Sequence, residues 1–329
     1  MTLARRGLLA AAGTLALPAA AQSRWQFATA YPDGNFHTRN NRQFAQEVQA
    51  ATENRVAIQM HTGASLLPMP QLKRAAQTAQ VQLAEVLISA YGNEDPFFEV
   101  ECIPQLTVNF DEAKRLVELA KPYMEARFAR QGLTALYTVP WPSNGFYTNF
   151  PVDSLEALRG TRMRTFNVMT NRLATLIGAT PTLVQLVEVP QAFATGVVNA
   201  MITSAPTGVD TQAWDYVRHF TPVGLMFSRN VVVANRRALE ALGAADQARI
   251  RDLAAEAEAR GWTASREAER STTAMLIERG VRVATPTPAL LEGLRDVNRI
   301  ITQEWVNRAG EEGRRLIEAY KAGGCAGCG

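Results

Sequence analysis

The residues with the clearest chemical potential lie in the segment 160–166 (GTRMRTF). Its alternation is typical of a β-strand and puts Arg162, Arg164 and Phe166 on one face. Arg164 falls toward the carboxyl end of this strand, and Asn167 begins the next helix. In open α/β sheets ligands bind at such strand ends, near helix N-termini that favour anions. Arg164 is therefore a candidate for bidentate binding of a carboxylate, although the spacing alone also fits a surface arginine on an edge strand.

Histidine, the usual acid–base residue, occurs only as His37, His61 and His219. The chain carries no H-E-x-x-H, G-x-S-x-G, P-loop or G-x-G-x-x-G motif, and no cluster has metal-ligand spacing. His61 alternates within a predicted strand and fits a structural role, and His219 fits a solvated helix end. His37 fits a ligand site and a helix start equally well. We expect no catalytic residue, no metal and no cofactor.

Composition limits the classes of protein to which the chain can belong. The 329 residues are 47% hydrophobic and 20% charged, so they bury a large core. At roughly 150 residues per domain, this length predicts about two domains. With 34 basic and 31 acidic residues the formal charge is only +3, and nothing indicates a nucleic-acid partner.

The N-terminal residues indicate export. Arg5 and Arg6 precede an apolar run over residues 7–17, which is followed by Pro18 and three alanines. This pattern predicts a cleaved signal peptide over residues 1–21, of Sec or twin-arginine type, and a periplasmic mature chain. The apolar run is too short to span a membrane.

Alternating strand and helix patterns fill the mature chain and predict an α/β fold with largely parallel sheets. Pro140 and Pro142 force an extended backbone around Trp141, and we place a crossing between two domains there. A helical pattern over residues 245–279 would be roughly 50 Å long, so it must span both domains or break at Gly261. Further helices are predicted over residues 208–216, 288–308 and 312–320.

Three motifs resemble those of one protein family in order and spacing. Residues 158–164 (LRGTRMR) are similar to its L-K-G-x-K-x-R segment, and residues 177–181 (IGATP) to its L-G-A-x-P. Residues 191–200 (QAFATGVVNA) resemble its Y-x-A-L-Q-x-G-x-V-D-G. Over nearly all of the mature sequence the chain resembles the DctP-type solute-binding proteins of tripartite ATP-independent periplasmic (TRAP) transporters.

The resemblance implies a two-lobed periplasmic binding protein fold (class II-like), with hinge strands and one long helix spanning both lobes. It implies an organic acid whose carboxylate is gripped by Arg164 and which is delivered, on lobe closure, to the small and large subunits of a membrane permease. We expect a monomer. An exported enzyme and a ligand-sensing subunit remain alternatives, since both would use the same cleft.

The expected division of the chain follows from the crossing and the long helix. Lobe I comprises residues 22–141 and 230–270, and lobe II comprises residues 142–229 and 271–322. Residues 323–329, with Cys325 and Cys328, are expected to form a flexible tail with an incidental cysteine pair.

The sequence departs from the family pattern at three places. No second arginine occurs in residues 143–146, where some sialic-acid-binding members carry one, Asn199 replaces a frequent aspartate, and residues 201–204 are less polar. With one cation and several aromatic residues, these departures predict a monocarboxylate with an apolar or aromatic body. The candidate ligand-binding residues, at predicted strand ends and at the crossing, are Tyr31, Phe36, His37, Ser89, Tyr91, Trp141, Asn144, Arg164, Phe166, Thr203, Ser204 and Trp214.

Overall fold

Two β-sheets form the two lobes of the protein, which the computed structural model describes over residues 22–324. The strands are, in chain order, β1 (Ser23–Ala28), β2 (Val56–His61), β3 (Leu83–Leu87), β4 (Leu133–Pro140), β5 (Asn144–Thr148), β6 (Arg162–Thr165), β7 (Thr180–Leu183), β8 (Ala200–Ser204), β9 (His219–Pro222), β10 (Arg229–Asn235) and β11 (Arg282–Val283). The first sheet has the order β2-β1-β3-β10-β4, and the second has the order β11-β9-β5-β8-β6-β7. The predicted α/β class and two lobes are confirmed.

Helices cover the sheets and connect their strands. They are, in chain order, α1 (Phe36–Ala51), α2 (Met69–Gln77), α3 (Phe110–Arg130), α4 (Val168–Leu176), α5 (Val189–Ala194), α6 (Ala205–Asp210), α7 (Arg236–Glu240), α8 (Ala244–Glu278) and α9 (Pro288–Ala322). Asparagine side chains cap several N-termini: Asn35 accepts the His37 N–H at α1, and Asn167 forms a capping box with Thr170 at α4.

Both sheets are mixed, which corrects the prediction of largely parallel sheets. Strand β10 runs antiparallel to β3 and β4, and β5 runs antiparallel to β8 and β9. The other strand pairings described are parallel. Strands β5 and β10 are each the first strand in the sequence after the chain passes from one sheet to the other. Such a strand has no helical crossover from a neighbour in its own sheet, so nothing requires it to be parallel.

Helix α8 is continuous over its 35 residues and spans both lobes, so of the two alternatives for this segment the spanning helix is correct and the break at Gly261 is not. It packs against α1 and β4 of the first lobe and against α6 and β11 of the second. Gly261 is buried at the contact with β4, where an added Cβ would lie 2.3 Å from Cγ2 of Val139. The glycine therefore serves close packing of the helix against the sheet.

The C-terminal helix α9 also contacts both lobes. Arg172 of α4 donates from Nε to Glu304, at 2.9 Å, and Trp305 donates from Nε1 to the carbonyl of Pro96, at 2.6 Å. The helix is interrupted at Gly310, whose φ of 66° and ψ of −151° are not helical. This interruption falls between the two helices predicted from the sequence.

The predicted helix over residues 208–216 is shorter than expected. Helix α6 ends at Asp210, and Gln212 adopts the left-handed conformation, with a φ of 52°. A single turn of 3₁₀ helix, Ala213–Asp215, follows. The left-handed residue stops the helix although the sequence contains no proline or glycine at that point.

Two predictions concern residues that the structure does not describe. The signal peptide over residues 1–21 and the pair Cys325 and Cys328 lie outside the described range. Within residues 22–324, no helix combines the length and apolar character needed to cross a membrane.

Candidate functional site

A cavity of about 90 Å³ lies between the two lobes. Its walls follow the carboxyl ends of β1, β2 and β3 in the first lobe and of β6, β7 and β8 in the second, together with both chain crossings. Open α/β sheets bind ligands at this position. The lining residues are Ala30, Tyr31, Ala64, Pro68, Met69, Leu87, Ala90, Trp141, Asn144, Arg164, Phe166, Gln185, Leu186, Val187, Thr203, Ser204, Thr207 and Ser228.

Arg164 brings a positive charge to this cavity and is only 4% exposed. Its Nε donates to the carbonyl of Val184, at 3.0 Å, and its Nη1 lies 3.5 Å from the carbonyl of Ile202. No carboxylate forms an ion pair with it within the described chain. Burial lowers the pKa of Arg164 to about 10, which leaves the guanidinium charged at neutral pH. A buried charge without a counter-ion is costly, so this site favours an anionic ligand.

Polar side chains stand around the same end of the cavity. Asn144, at the start of β5, is buried, and its Oδ1 has no hydrogen-bond partner among residues 22–324. Thr203 and Ser204 end β8, and Oγ of Ser204 lies 3.3 Å from Oγ1 of Thr207. These groups offer both donors and acceptors to a polar ligand.

The first lobe and the crossing contribute an aromatic wall made of Tyr31 and Trp141. Their ring centroids are 5.0 Å apart, with the planes inclined by 60°. The Tyr31 hydroxyl and the Trp141 Nε1 both donate to Oδ1 of Asn230, at 3.2 and 3.0 Å. Burial raises the pKa of Tyr31 well above its usual value. Both polar donors are thus used within the protein, and the rings present mainly hydrocarbon.

The structure brings seven of the twelve predicted residues together in the cavity lining. They are Tyr31, Trp141, Asn144, Arg164, Phe166, Thr203 and Ser204. They come from both lobes and from the crossing, which is where the reasoning from strand ends placed them.

Five predicted residues lie outside the lining because their side chains pack against, or form hydrogen bonds with, other residues of the protein. Phe36 and His37 pack behind Trp141, with ring centroids 5.4 and 4.4 Å from it. Burial lowers the pKa of His37 well below its usual value. The Tyr91 hydroxyl donates to the carbonyl of Met69, at 2.8 Å, and so fixes the start of α2, which lines the cavity, from behind.

The other two contact different neighbours. Ser89 accepts a hydrogen bond from Nδ2 of Asn167, at 2.9 Å, and thereby joins the two lobes. Trp214 belongs to a separate cluster in the second lobe, where the guanidinium of Arg279 lies 5.2 Å from its ring centroid.

The prediction missed eleven lining residues, most of them apolar and outside the α-helices and strands. Gln185, Leu186 and Val187 follow β7, and Ala64 follows β2, so the strand-end rule applied to every strand would have found them. The others are Ala30, Pro68, Met69, Leu87, Ala90, Thr207 and Ser228.

Comparisons with known proteins assign the chain to a family. Residues 27–308 match the model of DctP, bacterial extracellular solute-binding protein family 7. An extracytoplasmic solute receptor of Bordetella pertussis, DctP7, described as binding pyroglutamic acid, is 41% identical; the match covers 91% of this chain and 99% of that one, with a TM-score of 0.89.

Two further structures show the same similarity. DctP6 of Bordetella pertussis, also described as binding pyroglutamic acid, is 34% identical over 91% of this chain and all of that one (100%), with a TM-score of 0.90. A TRAP solute-binding protein from a marine metagenome, in complex with co-purified pyroglutamate, is 32% identical over 92% and 99% of the two chains, with a TM-score of 0.89. The resemblance in the motifs is confirmed. This chain belongs to family 7 of the bacterial extracellular solute-binding proteins, the DctP family of TRAP solute receptors.

Proposed function

We propose that this protein is the receptor for a small cyclic monocarboxylate, with pyroglutamate as its ligand. The observation that carries the proposal is the charge of the cavity. Arg164 is buried there without a counter-ion, and the lining includes no aspartate or glutamate in the described part of the chain. The cavity thus favours a ligand with one negative charge, and its lining has no partner for a second charge of either sign.

This charge balance separates pyroglutamate from its chemical neighbours. A free amino acid such as proline or glutamate carries an ammonium group, for which the lining has no carboxylate. A dicarboxylate carries a second negative charge, for which the lining has no second cation. Pyroglutamate has one carboxylate and a neutral ring amide, so it fits on both counts.

The distribution of polar groups supports the same ligand. We place the carboxylate at Arg164, the ring against Trp141 and Phe166, and the amide near Asn144 and Thr203. Three relatives that are 32 to 41% identical are described as binding pyroglutamate. The cavity of about 90 Å³ suits a ligand with a single small ring.

Calorimetric titration of exhaustively dialysed protein tests this proposal. Proline is the matched control because it shares the ring and the carboxylate but carries an ammonium group in place of the amide. We expect pyroglutamate to bind at least about a hundredfold more tightly than proline, glutamate or succinate, since each of these buries an unpaired charge. Equal affinity for proline, or preference for succinate, contradicts the assignment. Mass spectrometry of compounds released on denaturation identifies any ligand carried through purification.

We further propose how the receptor is used. The signal peptide, of Sec or twin-arginine type, directs it to the periplasm, where the monomer closes its lobes on the acid and delivers it to the small and large subunits of a permease. The proposed lobes are residues 22–141 with 230–270 and residues 142–229 with 271–322. The receptor does no chemistry on the acid, so prolonged incubation should return pyroglutamate quantitatively; turnover would favour an enzyme instead.

A further inference from the structure

Asn230, a buried residue near the start of β10, lies behind the cavity and does not line it. Its single Oδ1 accepts two hydrogen bonds, from the Tyr31 hydroxyl at 3.2 Å and from the Trp141 Nε1 at 3.0 Å. Tyr31 follows β1 and Trp141 lies at the crossing between the lobes. One amide oxygen therefore joins two lining residues that are far apart in the sequence.

The orientation of this amide is fixed from its other side. Nδ2 of Asn230 donates to Oε1 of Glu85, at 2.9 Å, and Glu85 is 1% exposed. The second carboxylate oxygen of Glu85 accepts from Oγ1 of Thr29, at 2.5 Å. If the amide turned over, its NH₂ group would face the indole N–H of Trp141, which can only donate, and its oxygen would face the carboxylate of Glu85. Both contacts would be repulsive, so only the observed orientation is stable.

We propose that Asn230 is a positioning residue that determines specificity, because it makes Tyr31 and Trp141 present an apolar wall to the ligand. Tyrosine and tryptophan normally offer a polar group as well as a ring. With the hydroxyl hydrogen and the indole N–H both directed at Asn230, the ring surfaces remain for the ligand. Polar recognition is thereby left to the opposite wall, where Arg164, Asn144 and Thr203 line the cavity. The proposal rests on the proposed function only for the choice of ligand.

The first test compares two asparagines on the same strand. N230A and N235A each remove a buried asparagine side chain from β10; Asn235 donates to the carbonyl of Ala76, at 2.8 Å, away from the cavity. Both variants should unfold at a lower temperature. Only N230A should raise the Kd for pyroglutamate, by about tenfold or more, since both aromatic side chains lose their anchor. Equal Kd values for the two variants would overturn the proposal.

A double-mutant cycle asks whether Asn230 acts through the two aromatic residues. The double variant Y31F/W141F keeps two aromatic rings but removes both donors. Adding N230A to this background should change the Kd by less than about threefold, whereas the same substitution in the wild type has its full effect. Additive losses would show that Asn230 acts by another route and would overturn the proposal.

A charge-conserving exchange covers the case in which N230A fails to fold. The pair E85Q/N230D swaps the amide and the carboxylate across the 2.9 Å contact, so that residue 230 still accepts from Tyr31 and Trp141. It should restore a Kd close to that of the wild type, whereas an N230A-like Kd would contradict the proposal. If the wild type binds another acid of the panel instead of pyroglutamate, that acid becomes the probe for the Asn230 variants. A wrong choice of ligand is thus distinguished from a failure of the proposal for Asn230.

Discussion

The two walls of the cavity differ in how their polar groups are used. On the wall of Tyr31 and Trp141, the polar donors are already bonded to Asn230. On the opposite wall, the guanidinium of Arg164 has no counter-ion and Oδ1 of Asn144 has no partner among the described residues. The first wall is complete without a ligand and supplies shape, whereas the second is completed by a ligand and supplies charge. Substitutions on the second wall should therefore weaken binding without lowering the stability of the ligand-free protein, whereas substitutions on the first wall should lower both.

The largest effect is expected from removing the charge. R164M should weaken pyroglutamate binding by at least about a hundredfold, since two charge-assisted hydrogen bonds to the carboxylate are lost. The same variant should leave the thermal stability of the ligand-free protein unchanged or raise it, because a buried charge without a counter-ion is removed. Calorimetric titration and thermal unfolding without ligand measure the two quantities.

R164K is the matched control for this prediction. Lysine keeps the charge but loses the planar pair of donors, so binding should be intermediate between R164M and the wild type. A ligand-free R164M protein whose unfolding temperature is well below that of the wild type would contradict the comparison. Arg164 would then stabilise the fold without a ligand, as the aromatic wall does.

A smaller effect on affinity is expected from the aromatic wall. W141L should weaken pyroglutamate binding by about tenfold and lower the free energy of unfolding by about 2 kcal/mol, since this side chain packs in the core as well as on the cavity. The control is W262L, because Trp262 packs beside Phe110 and Phe227, outside the cavity lining. W262L should lose stability only. A W141L protein with wild-type stability and reduced affinity would break the contrast between the walls.

The smallest effect concerns a contact between the lobes, where Nδ2 of Asn35 donates to Oδ2 of Asp210, at 2.6 Å. Burial raises the pKa of Asp210 to about 6, above its usual 3.8. The folded protein then binds more protons than the unfolded chain between these values, so this group makes stability fall as the pH rises through them. The stability of D210N relative to the wild type should rise by about 1 kcal/mol between pH 4 and pH 7.

D246N provides the control with the opposite sign. The hydrogen bond from Arg55 lowers the pKa of Asp246, so this carboxylate stabilises the fold above its usual pKa and loses that effect as the pH falls. The pair is partly exposed, so D246N should cost only about 0.5 kcal/mol at pH 7 and less in acid. Chemical denaturation across the pH range would contradict this reasoning if both variants changed in the same direction.

Local patterns in the sequence predicted the part of the site that depends on single strands. The alternation around Arg164 placed this residue correctly at a strand end, because the two-residue period is a property of the strand itself. The same rule selected Ser89 and Tyr91, yet these side chains bond to Asn167 and to the carbonyl of Met69, the first residue of α2. Partners so distant in the sequence leave no local pattern, so the direction of these side chains was not predictable.

The hydrogen bonds of Asn230 with Glu85, Tyr31 and Trp141 could not be predicted from the sequence for the same reason. Asn230 and Glu85 are 145 residues apart, and each reads as an ordinary polar residue in a strand. The antiparallel direction of β5 and β10 was also missed, because the strand and helix order does not record how a chain crosses between sheets. The crossing at Pro140 and the long helix were predictable, since proline geometry and helical period act locally.

The continuity of α8 has a mechanical consequence. This helix is fixed to the first lobe by the close contact at Gly261 and to the second by its packing on α6 and β11. A rod held at both ends cannot let its supports rotate freely. Any change in the angle between the lobes must bend the helix or slide it over one of the surfaces on which it packs. Helix α8 therefore opposes a change in the angle between the lobes with an elastic restoring force wherever its packing prevents sliding.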